Sequence, residues 1–482
     1  MKRFALALLA VLLILSLVVV ARALRIDSRQ ITAAPAGEIR LDNAALLERL
    51  SRAIQFRTVS ARDLAPAAAV EFERFHDFLG EAFPQVGKKL QKEIIGGHSL
   101  LYSWQGQNSA LRPILLMAHM DVVPAANENW RHPPFAGAIA GGYLWGRGAM
   151  DDKSSLMAIL EAVEHLSRDG FAPMRTIYLA FGHDEEVGGH RGAAKIAAQL
   201  RARAVEIEFV LDEGLNIVDG IVPGIAAPVA LIGIAEKGYL SLRLTVETPG
   251  GHSSIPPAAT AIGILSRALH RLEAAPFRSQ LKGPTRQMLE FLGPEMAWPN
   301  RLALANLWLF APAVKKHMAQ SPLTQAAIRT TLAPTLFHAG IAENVLPTGA
   351  AAVVNLRLLP GDTVAGVTER VRAVIDEPRI KIIALPLQME PSPVSDVRSP
   401  SFELIQRTVR QTMPEALVAP SLLVAATDSR HYADLTKNIF RFLPITVGPE
   451  DIPRYHGIDE RISLRDYPRL VRFYAQLIRN GQ

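Results

Sequence analysis

Seven side chains in this sequence have the chemistry to hold a cation or to work beside one. They are His119 and Asp121 in MAHMD, Asp151 in GRGAMDD, Glu185 and Glu186 in GHDEE, Asp212 in VLDEG and His456 in YHGIDE. Singly, each has a plain structural reading. A histidine ending a strand is more often a satisfied core residue than a ligand, a glutamate pair is more often a solvated loop, and an aspartate just before KSSLMAILEAVEHLSR suits a helix cap. Gathered at one rim they mean something else, because like charges withdrawn from water need a cation among them. The adjacent pair Asp151 and Asp152 sharpens the argument, since two aspartates repel and a helix start needs one. A carboxylate can bridge two cations with its two oxygens, whereas an imidazole nitrogen serves one. Two metal ions sharing one aspartate of the pair, with its neighbour fixing the turn, account for the pattern. Cysteine is absent from all 482 residues, which excludes a thiolate nucleophile, cysteine zinc sites and disulfides, and leaves imidazole and carboxylate as metal donors.

These groups meet only if the segments carrying them lie side by side. RPILLMAHMDVVP (112–124), RTIYLAFGHDEE (175–186) and IEFVLDEG (207–214) are short apolar runs, each ending in a polar cluster. KSSLMAILEAVEHLSR (153–168), between the first two, has the spacing of an amphipathic helix, as do AALLERLSRAIQF (44–56) and AVEFERFHDFLGEAF (69–83). Strands alternating with helices predict an α/β fold with a mainly parallel sheet covered by helices on both faces, and ligands bind beyond the carboxyl ends of such strands. KGYLSLRLTVETPGG (237–251) and GAAAVVNLRLLPG (349–361) alternate with period two, and helices are expected at 258–273 and 363–376. This predicts a smaller antiparallel α+β domain inserted into the first. The expected division is a leading segment 1–30, a catalytic domain formed by 31–236 and 396–482, and an inserted domain 237–395. The proline-punctuated residues 278–335 are assigned to the insertion.

With 49% hydrophobic and 20% charged residues, the chain can bury a large core in more than one domain. Its formal charge of +6 comes mostly from Lys2, Arg3, Arg22, Arg25 and Arg29 at the N-terminus. No basic stripe with interleaved aromatics follows, so nucleic acid is not an expected partner. The run from Phe4 to Ala21 is 18 uncharged residues, longer than a secretory core of about 7–15 and long enough to span a bilayer. The first reading is an uncleaved signal anchor that places the catalytic part outside the cytoplasm, periplasmic, lumenal or extracellular. The second is a cleaved signal peptide with Ala21-Arg22-Ala23 as its small-residue site, giving a secreted protein. Cationic residues on both sides of the span leave its orientation open.

HMDVVP, GRGAMDDK, HDEEVGG, LDEG, GGHSSIPP and HGIDE occur in this order across about residues 40–480. Together they resemble the dizinc metallopeptidase and deacylase family of carboxypeptidase S (Gly-X carboxypeptidase), aminoacylase, carnosinase, glutamate carboxypeptidase and succinyl-diaminopimelate desuccinylase. Within it, the likeness is greatest to the branch of carboxypeptidase S and the N-fatty-acyl-amino-acid hydrolase/synthases. The resemblance implies that His119, Asp151 and Asp212 hold one Zn2+ and that Asp151, Glu186 and His456 hold a second, with Co2+ or Mn2+ as substitutes. Glu213 is the alternative to Asp212. It implies that Asp121 orients His119, that Glu185 is the general base for a water activated between the metals, and that the peptide bond between Asp151 and Asp152 is cis. It also implies that His252 reaches the substrate from the inserted domain, often across a homodimer, that Arg430 in ATDSRHY grips a substrate carboxylate, and that Asn344 in AENVLP contacts substrate.

Without the resemblance, His252 is an ordinary loop histidine and Arg430 a surface partner of Asp428 or Asp434. The activity expected is zinc-dependent cleavage of an amide bond in short peptides, as a carboxypeptidase of Gly-X type. The alternative substrate is an N-fatty-acyl amino acid, hydrolysed or synthesised, for which LANLWLF (304–310) is a candidate acyl-chain surface; core or a dimer contact is the plainer reading of that stretch. A binding protein that kept the fold without catalysis is the reading from another class, and the presence of every ligand and the base speaks against it.

Overall fold

In the computed structural model, which describes residues 1–61 and 65–482, the apolar runs ending in acidic or imidazole groups are neighbouring strands. The larger sheet has eight: β1 (Gln91–Ile95), β2 (Ser99–Trp104), β3 (Ile114–His119), β4 (Ile177–Gly182), β5 (Phe209–Val218), β6 (Val229–Glu236), β7 (Leu417–Leu423) and β8 (Ile439–Val447). Their order is β1-β2-β4-β3-β5-β8-β6-β7. β3 runs parallel to β4 and β5, β5 to β8, and β6 to β7, so the parallel part of the sheet lies where the strand–helix alternation places it. β1 and β2 form an antiparallel hairpin against β4, turned through Gly96 and Gly97, whose φ of 66° and 102° suit glycine. That hairpin was not separated in the sequence, where QKEIIGGHSLLYSW lacks a sustained period.

Every residue of β3 is buried. Ile114, Leu116 and Ala118 face the large core with the helices Lys153–Arg168, Pro400–Thr412 and Asp466–Asn480, while Leu115 and Met117 face the helix Ala193–Ala202. Both faces are thus covered, which is why these strands read as unbroken apolar runs. Each fully buried leucine here contributes roughly 1.5–3 kcal/mol. The register places His119 opposite Gly182 and Leu116 opposite Leu211, so His119 and the residues after Gly182 leave the sheet at one rim, while Asp212 follows within β5 just past the last residue paired with β3.

After Glu236 the chain enters a second, four-stranded antiparallel sheet, ordered Thr331–Ala339, Gly349–Leu358, Gly238–Glu247, Lys381–Met389. Leu240, Leu242 and Leu244 pack with Val354 and Leu356 beneath the helices Ala261–Ala274 and Val364–Ile375, forming a core of their own. Thr260 and Thr363 cap these helices, each accepting from the N–H three residues on. The helix Gly283–Leu292 differs from the sequence reading. Phe291 and Leu292 of the helix Gly283–Leu292 join the large core, and Met288 Sδ lies 3.6 Å from Ser421 Oγ of β7. This helix covers the edge of the larger sheet at β7, because TRQMLEFL sets Met288, Phe291 and Leu292 on one helical face.

Candidate metal centre

His119 ends β3 with its ring between two aspartates. Its Nδ1 lies 2.9 Å from the main-chain oxygen of Asp121 and 3.4 Å from Asp121 Oδ1, which leaves Nε2 to face Asp151 Oδ1 at 2.8 Å. The other oxygen of Asp151, Oδ2, lies 3.1 Å from His456 Nε2, and that nitrogen is also 3.1 Å from Glu186 Oε2. One carboxylate therefore presents an oxygen to each of two imidazoles, the disposition a bridging ligand requires. His119, Asp151 and Glu186 each offer a ligand atom within 4.8 Å of the others. The Asp151–Asp152 peptide bond is cis.

The two aspartates of the pair have separate tasks. Asp152, not Asp151, precedes the helix Lys153–Arg168, and its main-chain oxygen accepts from the N–H groups of Ser155 and Leu156 at 3.1 and 3.3 Å. Its carboxylate accepts from His119 N–H at 3.3 Å, pinning the end of β3. Asp121 also does more than orient a ring: its two oxygens accept from Glu185 N–H at 3.2 Å and Glu186 N–H at 3.1 Å, tying the turn after β4 to β3. Asp212 is buried on β5, with Oδ2 accepting from Ser429 N–H at 2.9 Å and Oδ1 from Glu213 N–H at 3.0 Å.

Crowding shows in the proton affinities. Burial pushes the Asp212 carboxyl up to about 6. Burial, then the charges of Asp151, Asp152 and Asp212, holds Glu213 well above the carboxylate range. Glu185 is likewise held well above it by burial, opposed by His119 and reinforced by Asp428, Glu186 and Asp121. Hydrogen bonds to Asp151 and then Glu186 raise His456 to about 10, so a proton and a metal ion compete for its Nε2. Among the described residues, Glu186 Oε1 is buried with no hydrogen-bond partner. A buried carboxylate oxygen without a donor among these residues, beside two imidazoles and further carboxylates, fits a cation.

A residue the sequence reading passed over holds the site together. Glu460 Oε1 accepts from the N–H groups of Gly148, Met150 and Asp151 at 3.0, 2.8 and 3.1 Å, and Oε2 accepts from Arg147 Nη1 at 2.6 Å. Arg147 Nη2 in turn donates to the main-chain oxygens of His456 and Gly457 at 3.1 and 2.9 Å. The loop bearing Asp151 is thereby fastened to the loop bearing His456, which sits at a left-handed φ of 57° that surrounding structure must enforce. The available signal was charge complementarity, an arginine in GRGAMDD and a glutamate ending YHGIDE. Glu460→Gln is expected to weaken metal binding by about 10–100-fold with the fold retained. Competition with a chelator of known affinity measures it, and an unchanged affinity would remove Glu460 from this role.

The expected substrate groups are placed less closely. His252 and Asn344 are exposed neighbours at a separate two-stranded ribbon, where Gly251–His252 pairs with Val345–Leu346 and Ser253 N–H donates to Asn344 O at 3.2 Å. Neither makes a hydrogen bond to the Asp151 cluster among the described residues. Arg430 is half-buried, with Nη1 donating to Thr427 O at 2.7 Å and Nη2 to Gly188 O at 2.8 Å, and its Nε has no partner. The plain surface-pair reading of Arg430 does not hold: Asp434 pairs with Arg201 at 3.0 Å, and Asp428 is buried without a hydrogen bond to either oxygen among the described residues.

A sequence profile described as peptidase family M20/M25/M40 matches residues 115–480. The chain belongs to this family. As an M20 chain it is a hydrolase of a metal-dependent peptidase family. It is 44% identical over 447 residues to a probable carboxypeptidase S-like 2 of Dictyostelium discoideum, covering 92% of this chain and 86% of the relative. It is 42% identical over 440 residues to the N-fatty-acyl-amino acid synthase/hydrolase PM20D1 of Xenopus tropicalis, covering 90% and 86%. Among solved structures, an M20 family metallo-carboxypeptidase from Sulfolobus solfataricus superposes with a TM-score of 0.65 at 17% identity, over 92% of this chain and 99% of that one, a likeness of fold.

Proposed function

We propose that this M20 enzyme is a dizinc hydrolase that cleaves the amide bond of short peptides next to a free carboxyl group, a carboxypeptidase of Gly-X type. The observation that carries the reading is the Asp151 carboxylate with one oxygen toward His119 and the other toward His456. His119, Asp151 and Asp212 would hold one ion and Asp151, Glu186 and His456 the other, with Co2+ or Mn2+ able to stand in. Bound there, such ions supply Lewis acidity, polarising an amide carbonyl and bringing the pKa of a water toward neutrality. The chain's own groups do the rest. Glu185 is the general base: its main chain is anchored on Asp121, and its raised proton affinity suits a carboxylate that takes a proton and returns it to the leaving amine. Arg430 recognises the substrate carboxylate, since a guanidinium fork gives two parallel hydrogen bonds. His252 and Asn344 complete the site from residues 237–395, which act as lid and homodimer surface. The N-terminal helix serves as an uncleaved anchor with the catalytic part outside the cytoplasm.

An assay of the zinc-loaded enzyme against Gly-X dipeptides and N-acyl amino acids of graded chain length tests the substrate class. Arg430→Lys keeps the charge but loses the fork, and is expected to raise KM for carboxylate-terminated substrates by about 10–100-fold, roughly 1.4–2.8 kcal/mol. An equal loss on substrates with an amidated C-terminus would contradict that role. The second reading, hydrolysis or synthesis of N-fatty-acyl amino acids, is favoured by exposed Trp298, Trp308 and Leu309 near the N-terminal helix. Activity that rises with acyl length and is absent on Gly-X dipeptides would select it.

A further inference from the structure

Among the described residues, the helix Lys2–Arg25 is the one long and apolar enough to cross a membrane. Its first two-thirds are almost wholly exposed, with Leu6, Leu9, Leu13 and Leu17 each above 60%. Its last turns are held by the folded domain. Asn306 Nδ2, fully buried, donates to Val19 O at 2.9 Å, and Arg301 donates from Nε to Ala23 O at 2.9 Å and from Nη2 to Ile26 O at 3.3 Å. Val19 and Ala23 are buried in this contact, and cleavage after Ala23 would remove both. The helix thus leaves the domain from a fixed point beside Asn306.

At that point begins the helix Leu307–Met318, which exposes Trp308, Leu309, Pro312, Ala313, Lys316 and His317. The spacing i, i+1, i+4, i+5, i+8, i+9 is one stripe of one helical face. The stripe is graded: its apolar end adjoins the anchor's exit point, and its cationic end lies farthest from it. Trp298, 49% exposed, lies just ahead on the same segment, and Trp308 is 56% exposed. Tryptophan favours the boundary between acyl chains and headgroups, and lysine favours the anionic headgroup layer.

We propose that residues 298–317 form a second membrane contact, seated on the surface of the bilayer that the N-terminal helix crosses. Trp298, Trp308 and Leu309 enter the acyl boundary and Lys316 meets anionic headgroups. The occupant is argued by continuity with the spanning helix and by the match of the apolar-to-cationic gradient to the layers of a bilayer. The proposal rests on the anchor reading of Lys2–Arg25. It also assigns the LANLWLF stretch a use that neither core nor dimer packing requires.

The test uses the full chain reconstituted in phosphatidylcholine–phosphatidylglycerol vesicles, with and without brominated acyl chains. Flotation reads the anchor, and tryptophan quenching by bromine reads the depth of the aromatic side chains. The chain should float, its fluorescence should be quenched by brominated lipid, and the double variant Trp298→Phe/Trp308→Phe should float equally but lose most of that quenching. The other three tryptophans, Trp104, Trp130 and Trp145, belong to the catalytic part and serve as the internal reference. Flotation with quenching absent, or unchanged in the double variant, overturns the second contact and leaves the anchor standing. A chain that does not float removes the anchor reading, and this proposal with it.

Discussion

Asp151→Asn should abolish turnover and leave the protein folded. Asparagine has the same shape, yet one of its two terminal atoms becomes an amide nitrogen that donates and cannot ligate a cation. Whichever way the amide turns, either the His119 side or the His456 side loses its oxygen, whereas the native carboxylate serves both at 2.8 and 3.1 Å. Losing one of the two shared oxygens empties one cation site and breaks up the pair, and with the pair go the activated water and the polarised carbonyl, so a fall on the order of 10⁴-fold or more is expected. The fold should not suffer. In the metal-free protein His119 and His456 hold the Asp151 carboxyl below the usual carboxylate range against its burial, while its charge helps to push Glu186 up, so a neutral amide gives up attraction, burial cost and repulsion together and the net loss of stability should be modest. Thermal unfolding of the metal-free forms checks this. A melting temperature well below that of the metal-free wild type would show that Asp151 is needed for folding rather than for cations.

Glu185→Gln separates base from ligand. Glu185 and Glu186 are adjacent, both N–H groups bond to Asp121, and only Glu186 turns its Oε2 to His456. Glutamine at 185 should therefore leave the metal content intact while kcat falls by about 10²–10⁴-fold, or roughly 3–5 kcal/mol of lost transition-state stabilisation. KM should change little, because the base acts on the proton in flight and not on the bound substrate. Steady-state kinetics on the metal-loaded variant measure both. Full activity would displace Glu185 as the base, and loss of metal together with activity would make it a ligand.

What the sequence disclosed follows from where each signal is local. His119, Gly182 and Asp212 terminate or continue apolar runs whose parallel pairing is dictated by strand–helix alternation, so their shared rim could be read before any coordinates. His456 could be joined to them only through the resemblance, since more than 200 residues and a second sheet lie between it and Asp212. The tasks of Asp151 and Asp152 were legible as a pair, but which one caps the helix depends on a turn whose course no propensity specifies. Glu460 was missed because a buried glutamate accepting three main-chain N–H groups leaves no periodic trace; only its partner Arg147, in another motif, hints at it. The helix Gly283–Leu292 was placed with the wrong sheet because an apolar helical face shows that something is covered, not what.

The central claim is that one aspartate serves two cations. Elemental analysis of the purified chain, wild type beside Asp151→Asn, tests it most directly. The account predicts about two divalent ions per wild-type chain and no more than one in the variant, since the amide keeps a single ligating oxygen where the carboxylate had one for each site. A wild-type chain that saturates at one ion, or an Asp151→Asn chain that still carries two, would contradict it.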